Sequence, residues 1–523
     1  AGYTYLTRGD WRFNPEHPPL VKVLAALPML ALKPNVTAEM EDEWVASDNL
    51  YYDSWRENRA FGEALMYQSG NNPDLMLFYG RLPMVALTLI LGLTILLIAL
   101  KHWGAGASFV ASALYALNPI VNGHGHLITT DIAITLGFLL AVYCFWQLLI
   151  RPSWPRALYW ALAFGGALLV KHTAIILLPI FVVLVVVVAV RQKMDFNWRR
   201  VLLHLTVGLL AVWVLIWAGF GFNDQVAPKT TSVTTDIIAA YQERGQQAEL
   251  AVSSKLDRGY ALSQPLLTLL PVNYVKGALL VTGHASSGHS SYLLGETKRV
   301  GWWYYFPVLL LFKTPLALLA LFGGAIYLFV RRRPKVDLLV GLLGSSVLFL
   351  LLAMGSKANL GVRHILPIFP PLIIAAGWAY SVSQKFRHLT AAALIWLAVV
   401  AVVSYPSYLG YFNELAGRPR HNYKIATDSN LDWGQDLKRI KQYIDKNSLG
   451  DVYIDYSWDG YSALDYYLGE NQYRLLETWR PGQPGVAIIG ASTFAVSPNP
   501  GITNCTKRQI ITNGTYVCYL GGR

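Results

Sequence analysis

The stretch NPEHPPLVK, residues 14–22, sets Glu16, His17 and Lys22 at the edge of an apolar run. Its prolines favour extended backbone ahead of a helix. An imidazole and an ammonium beside a helix N-terminus can hold a phosphate, because the helix end adds positive charge of its own. The same residues also fit an interfacial helix whose lysine reaches back to water. NGHGHLITTDIAIT, residues 122–135, places His124, His126 and Asp131 in a short loop at the start of a helix. Asp131 can act there as a cap or as an acid of a site. The two histidines and Asp131 leave a divalent cation open, although the spacing is a weak metal signature. Lys171-His172 interrupts apolar sequence and needs an anion or water, as a ligand phosphate, a lipid headgroup or a loop would supply. LGVRHILPIFPPL carries Arg363 and His364 ahead of another apolar run. The planar, paired donors of Arg363 suit a phosphate, whether of a ligand or of a headgroup.

Other polar groups carry less. Glu296 and Lys298 could line a site, and Trp302 to Tyr305 read as an interfacial aromatic belt. His284 and His289 lie among serines, but no acid is placed to orient a base, so a hydrolase triad is excluded. Asp428, Asp432 and Asp436 read as caps and a solvated face, since Asp432 and Asp436 share one side of a helix. Calcium-loop spacing is absent, and so is a glycine-rich phosphate loop. Asn35, Asn504 and Asn513 open glycosylation-type triplets, which matter only in a host that modifies asparagine.

The elements that position these residues are membrane helices. The chain has 523 residues, of which 54% are hydrophobic and 14% charged, against about 25% charged in soluble domains. Ten spans are expected, at 79–100, 104–120, 128–150, 157–170, 173–190, 201–221, 304–330, 336–354, 361–382 and 389–407. The pair split at Lys171-His172 reads either as one long tilted helix or as a broken pair. The apolar piece 20–32 is too short to span and reads as interfacial or re-entrant; a second amphipathic helix is expected around Trp44 to Tyr67. The net charge of +12 gathers in short loops. It sets orientation there, which argues against a nucleic-acid partner. Lys101, Arg151, Arg156, Arg191, Lys193, Arg199, Arg200, Arg331, Arg332, Arg333, Lys335, Lys385 and Arg387 mark the cytoplasmic side. Residues 1–78, the loop 222–303 and the tail 408–523 then share the extracytoplasmic side, around a core at 79–407. The chain opens inside an outer loop, so a further span is expected upstream. The tail reads as a small α/β domain, with strands at DVYIDYSW and GVAIIGAS, a helix near 463–468 and an amphipathic helix capped by Asp428, Ser429 or Asn430. It ends in two strands around an Asn513-Gly514 turn. Cys505 and Cys518 flank that turn, and a disulfide between them suits an oxidising compartment, with two free thiols as the alternative. Cys144 reads as packing.

Taken together these stretches resemble a known family. HPPLVK resembles the HPPLGK-type motif of the protein O-mannosyltransferases, and FNPEHPPL resembles the EKPPL segment of the lipid A aminoarabinose transferases. GETKRVGWWYYFPVLLLFKTP, GVRHILPIFPPL, YFNELAG and TDSNLDWGQDL resemble prokaryotic members of the same dolichyl-phosphate-mannose–protein mannosyltransferase-like superfamily. The resemblance extends over essentially the whole chain. It implies a GT-C fold with its active site at the extracytoplasmic face of the plasma membrane. It also implies transfer of a sugar, with inversion, from a polyprenyl-phosphate donor to a hydroxyl of a protein, lipid or glycan acceptor. No cofactor is required, and a divalent cation stays open. By the resemblance His17 stands where the aminoarabinose transferases carry the cation that contacts donor phosphate. Asp131 matches a second outer-loop acid, Arg363 a phosphate-contacting base, and Lys171 is placed more loosely. The family's first-loop Asp-Glu pair stands a few residues before the AGYTYL of this sequence and so falls outside it.

Two other classes compete with that expectation. A lipid-linked sugar transporter or flippase would show inverted repeats and helices broken at the midplane. No repeat is visible, and the polar groups collect on one face. A catalytically silent scaffold with an outer sensory domain is the second rival.

Overall fold

The computed structural model describes residues 1–11, 13–40, 54–192, 197–222, 269–332, 337–456, 461–496, 505 and 507–520. Part of the expected amphipathic helix (44–53), most of the 222–303 loop, the Asn504 triplet and the loop cations Lys193, Arg333 and Lys335 lie outside the described residues.

The helices run in chain order as α1 (Gly2–Arg8), α2 (Leu20–Met29), α3 (Ser54–Glu63), α4 (Pro73–Ala116), α5 (Pro119–His124) and α6 (Asp131–Ile150). They continue as α7 (Trp154–Val170), α8 (Leu177–Gln192), α9 (Trp198–Gly219), α10 (Val272–Ser287), α11 (Tyr305–Lys313) and α12 (Leu316–Arg332). The last are α13 (Asp337–Met354), α14 (Phe369–Val382), α15 (Gln384–Ser404), α16 (Leu437–Lys446), α17 (Ser462–Leu468) and α18 (Ala491–Val496). Among the described residues six helices are long and apolar enough to cross a membrane, or seven if the bent pair α11 and α12 forms one span. The protein is a multi-pass helical membrane protein with a small α/β domain at its C-terminal end. Each of the ten expected spans coincides with helix, but the lengths divide differently.

The long helix α4 is two arms. Gly104 inside it has φ 81 and ψ −178, a conformation no helix can continue through. Ser108 Oγ donates to Leu96 O at 2.9 Å, whereas twelve residues of unbroken helix would separate them by about 18 Å. Tyr115 OH likewise reaches Thr88 O at 2.8 Å. The chain therefore folds back at Gly104, between the two spans expected at 79–100 and 104–120. Helix α14, apolar on every side, is the central element against this hairpin, with Ile373, Ile374, Ala375, Ala376 and Ala379 sealed. A Cβ at Gly377 would stand 2.6 Å from Ala107 O, so glycine is what permits the close approach.

At Lys171-His172 the structure breaks the span. Helix α7 ends at Val170, Lys171 is extended at φ −154 and ψ 133, and a 3-10 turn over His172–Ile176 leads into α8. The extended residue swings the lysine out of the helical path.

The tail carries a five-stranded sheet in the order β4 (Arg474–Leu475), β3 (Val452–Asp455), β5 (Gly485–Gly490), β7 (Thr515–Leu520), β6 (Lys507–Thr512). Strand β3 is parallel to β4 and β5, while β7 is antiparallel to β5 and β6. Two further strands, β1 (Ser291–Leu293) and β2 (Glu296–Lys298), form a separate hairpin. Alternation along the strands splits the sheet into two apolar faces. Val452, Ile454, Ile488 and Val517 pack with Leu437, Ile440 and Leu464 inside the tail. Tyr453, Ala487, Ile489, Tyr516 and Cys518 join the core of the membrane body. Cys505 and Cys518 are disulfide-bonded, with Cα atoms 5.1 Å apart.

The expected solvated acidic face is corrected by the structure. Asp432 and Asp436 are both fully buried. Tyr456 OH donates to Asp432 Oδ1 at 2.7 Å. Thr512 Oγ1 and Thr515 Oγ1 both donate to Asp436 Oδ2, and Arg439 Nη1 donates to Oδ1 at 2.6 Å. Helix α16 starts at Leu437, not just after residues 428–430, because that segment forms a 3-10 turn packed on the membrane body. Of the amphipathic helix expected at 44–67, residues 54–63 are α-helical and Ala64–Gln68 form a π turn.

Candidate active site

Asp131 is the first residue of α6 and is completely enclosed. Lys171 Nζ donates to its Oδ1 at 2.9 Å, and Arg363 Nη1 stands 3.6 Å from its Oδ2. That second oxygen accepts no hydrogen bond among the described residues. The break after α7 delivers Lys171, and the 3-10 turn Val362–Ile368 that precedes α14 delivers Arg363. One carboxylate thus faces two cations. A buried charge left without a partner is costly, so the cluster holds one positive charge in excess and favours an anion.

Arg363 is aimed by the tail. Its Nε donates to Ser429 Oγ at 3.0 Å, and its guanidinium lies 4.6 Å over the Trp433 ring. Gly361 has φ 125, and a Cβ there would stand 2.5 Å from Ser429 Oγ; only glycine both adopts that backbone and leaves room for the serine. Asn430 accepts from Val362 N at 3.0 Å and donates to Tyr305 OH at 3.2 Å. Lys313, 2% exposed, donates to Asn430 O at 2.7 Å and Leu409 O at 2.8 Å. The segment TDSNLDW is therefore a wall of the charged centre. Ser429 and Asn430, expected only as helix caps, and Trp433 and Lys313, which carried no expectation, thus belong to the site. A lysine inside an apolar run was a signal for Lys313; the serine and asparagine carried none beyond capping chemistry.

His17 and His364 complete the cluster. His17 Nδ1 and His364 Nε2 are enclosed without a hydrogen-bond partner among the described residues. Burial, then the charges of Lys171 and Lys22, push the His17 imidazole from 6.5 down to about 4, against the opposing pull of Glu16 and Asp131. His17 is therefore neutral at pH 7, and an anion arriving beside it would raise its proton affinity. His124 is 2% exposed, and burial pushes it down to about 3, with Asp131 pulling the other way.

Three expectations are revised. Lys22 Nζ donates to Tyr5 OH at 2.6 Å and Asn14 O at 2.7 Å, and burial pushes its pKa well down. Lys22 ties α2 to α1 and the 14–17 loop and acts on His17 through space; it offers no open ammonium. Glu16 flanks both as a charge acting on each. Glu296 sits on the exposed strand β2, paired with Lys298 at 3.0 Å. His126 is exposed and turned to Asn122 O at 3.2 Å, so His124, His126 and Asp131 do not converge. Among the described residues no three His, Cys, Asp or Glu side chains gather as a metal-ligand set.

Part of the chain is similar to a known family. Residues 76–217 match the family described as dolichyl-phosphate-mannose-protein mannosyltransferase. The matched stretch holds Asp131 and Lys171, with His17 and Arg363 outside it. Similar solved structures include ArnT from Cupriavidus metallidurans bound to undecaprenyl phosphate, at 15% identity over 99% of this chain and 92% of that one, with a TM-score of 0.47. The apo state of ArnT from the same organism gives 15% identity, 99% and 91% coverage and a TM-score of 0.30. The arabinofuranosyltransferase AftD from Mycobacteria gives 12% identity over 96% of this chain and 40% of that one, with a TM-score of 0.37. No curated protein sequence matches the chain. Two residues of the charged centre, Asp131 and Lys171, thus lie in the stretch of the chain that is similar to this mannosyltransferase family, a likeness that spans residues 76–217.

Proposed function

We propose that the protein moves a sugar from a polyprenyl-phosphate donor to an acceptor hydroxyl, at the extracytoplasmic face of the membrane. The observation that carries this reading is the Asp131 carboxylate shared by Lys171 and Arg363, beside unpartnered nitrogens of His17 and His364. In the reaction the acceptor oxygen bonds to the anomeric carbon, and the bond from that carbon to the phosphate oxygen breaks. Its electron pair leaves on the polyprenyl phosphate, and inversion follows from a single displacement. The leaving group is already an anion, so it needs cations, not a proton donor.

Arg363 is the residue suited to grip the phosphate, because Ser429 and Trp433 fix its plane while one edge still faces the cluster. His17 supplies a second contact that gains a proton as the anion arrives. Asp131 is a positioning residue. With both oxygens turned to cations it is a poor base, so the acceptor proton goes to another carboxylate. His17→Ala and Asp131→Asn should each lower sugar transfer from polyprenyl-phosphate donors about a hundredfold in membranes holding the full-length protein, because each misplaces the donor phosphate. Near-normal transfer by both variants would remove the assignment of this site.

A further inference from the structure

A second site adjoins the charged centre. Between the β1–β2 hairpin, the start of α11 and the tail domain lies a cavity of about 370 Å³, within the roughly 300–1,000 Å³ of small-molecule sites. Polar side chains make up part of its wall. Asp428, Asp432, Tyr456 and Ser492 come from the tail, Tyr292 from the hairpin and Tyr305 from the membrane body. Three separately folded parts of the chain thus converge on one space.

The space is kept open. A Cβ at Gly490 would stand 2.9 Å from Asp432 Oδ2 and 3.2 Å from the Tyr456 ring, so any side chain there would push into the lining. Asp428 holds a left-handed backbone at φ 60, costly for a residue with a Cβ. Ser492 Oγ accepts from its N–H at 2.9 Å, and its own carboxylate accepts from Ser429 N.

Resting on the transferase reading above, we infer that this cavity is the acceptor subsite and that it takes a neutral, polyhydroxylated group, that is, the sugar of a glycan or glycolipid. Asp428 and Ser429 are adjacent in sequence. The first lines the cavity and the second holds Arg363, so a wall about one residue thick separates cavity from anion seat. The Asp428 carboxylate repels a phosphate, which keeps the donor head on the Arg363 side. The Asp428 carboxylate can accept from sugar hydroxyls, and the half-buried Tyr292 adds aromatic surface suited to sugar C–H groups. A cationic seat and an acid-lined seat on either side of Ser429 hold the two substrates against each other.

The test uses full-length protein in nanodiscs and saturation-transfer NMR with methyl α-D-mannopyranoside and methyl β-D-glucopyranoside, with methyl phosphate as the anionic comparison. Wild type should transfer saturation to at least one glycoside through the cavity, and Gly490→Val should lose that signal. Asp428→Asn, which keeps the shape, should weaken it, and an unchanged Tm reports that both variants fold. Release of polyprenyl phosphate by attack of water reads the donor seat separately and should persist in Gly490→Val. Glycoside signals that are absent in wild type, or equal in wild type and both variants, overturn the acceptor subsite. Loss of donor breakdown in wild type itself would instead overturn the transferase reading.

Discussion

Lys171 Nζ and Asp131 Oδ1 meet at 2.9 Å inside the protein, although 40 residues separate them in the chain. The contact exists because α7 stops at Val170 and one extended residue turns the lysine toward the N-terminus of α6. Neither half of the pair is stable alone in that setting. Asp131→Asn leaves the buried Lys171 and the partly buried Arg363 facing an amide and should cost roughly 3–5 kcal/mol. Lys171→Met should cost less, because Arg363 still faces Asp131. The double variant should recover part of the loss. A double-mutant cycle read by thermal unfolding in nanodiscs checks this, and strictly additive losses would deny the coupling.

His17 makes stability depend on pH. Its imidazole titrates at about 4 in the folded chain and at 6.5 when free of its surroundings. Between those values the unfolded chain binds the proton and the folded chain does not. Stability is therefore whole above pH 6.5 and falls as pH drops toward 4, by about 3 kcal/mol at most. His17→Gln removes this contribution. Wild-type Tm should fall more than the variant's between pH 7 and pH 4, and parallel curves would contradict the burial of a neutral imidazole.

Asp436 anchors the tail. It accepts from Thr512, Thr515 and Arg439 while fully buried. Asp436→Ala strands these donors and should lower stability by about 2–4 kcal/mol. Asp445→Ala breaks only an exposed pair with Lys441 and should be nearly silent. Differential scanning fluorimetry of the two variants separates these outcomes.

The helical body was legible because apolar runs and loop charges are strong signals: the fold-back at Gly104 and the break at Lys171 both fall where polar or glycine residues interrupt such runs. The ionisable residues at the edges of those runs were legible for the same reason, and Asp131, Lys171, Arg363, His17 and His364 lie within reach of one another's charge. Lys22 was misread because pairing with Tyr5 and Asn14 is a matter of how α1 packs on α2, which no local pattern reports. The acidic tail segment was misread for a related reason. Asp432 and Asp436 look like a helix face in sequence, yet the helix begins only at Leu437, and the sheet buries both. Ser429 gains its role solely from docking against Gly361.

Arg363 tests the central claim, since it joins the tail to the carboxylate. Removing one partner of an enclosed charge pair costs about 2–5 kcal/mol of binding, or roughly thirtyfold or more. The direct measurement is consumption of a panel of radiolabelled polyprenyl-phosphate sugars by the full-length protein and by Arg363→Gln. At least one donor should be consumed by wild type, with kcat/KM lower by thirtyfold or more in the variant. No donor consumed by wild type, or equal consumption by both proteins, would contradict the account.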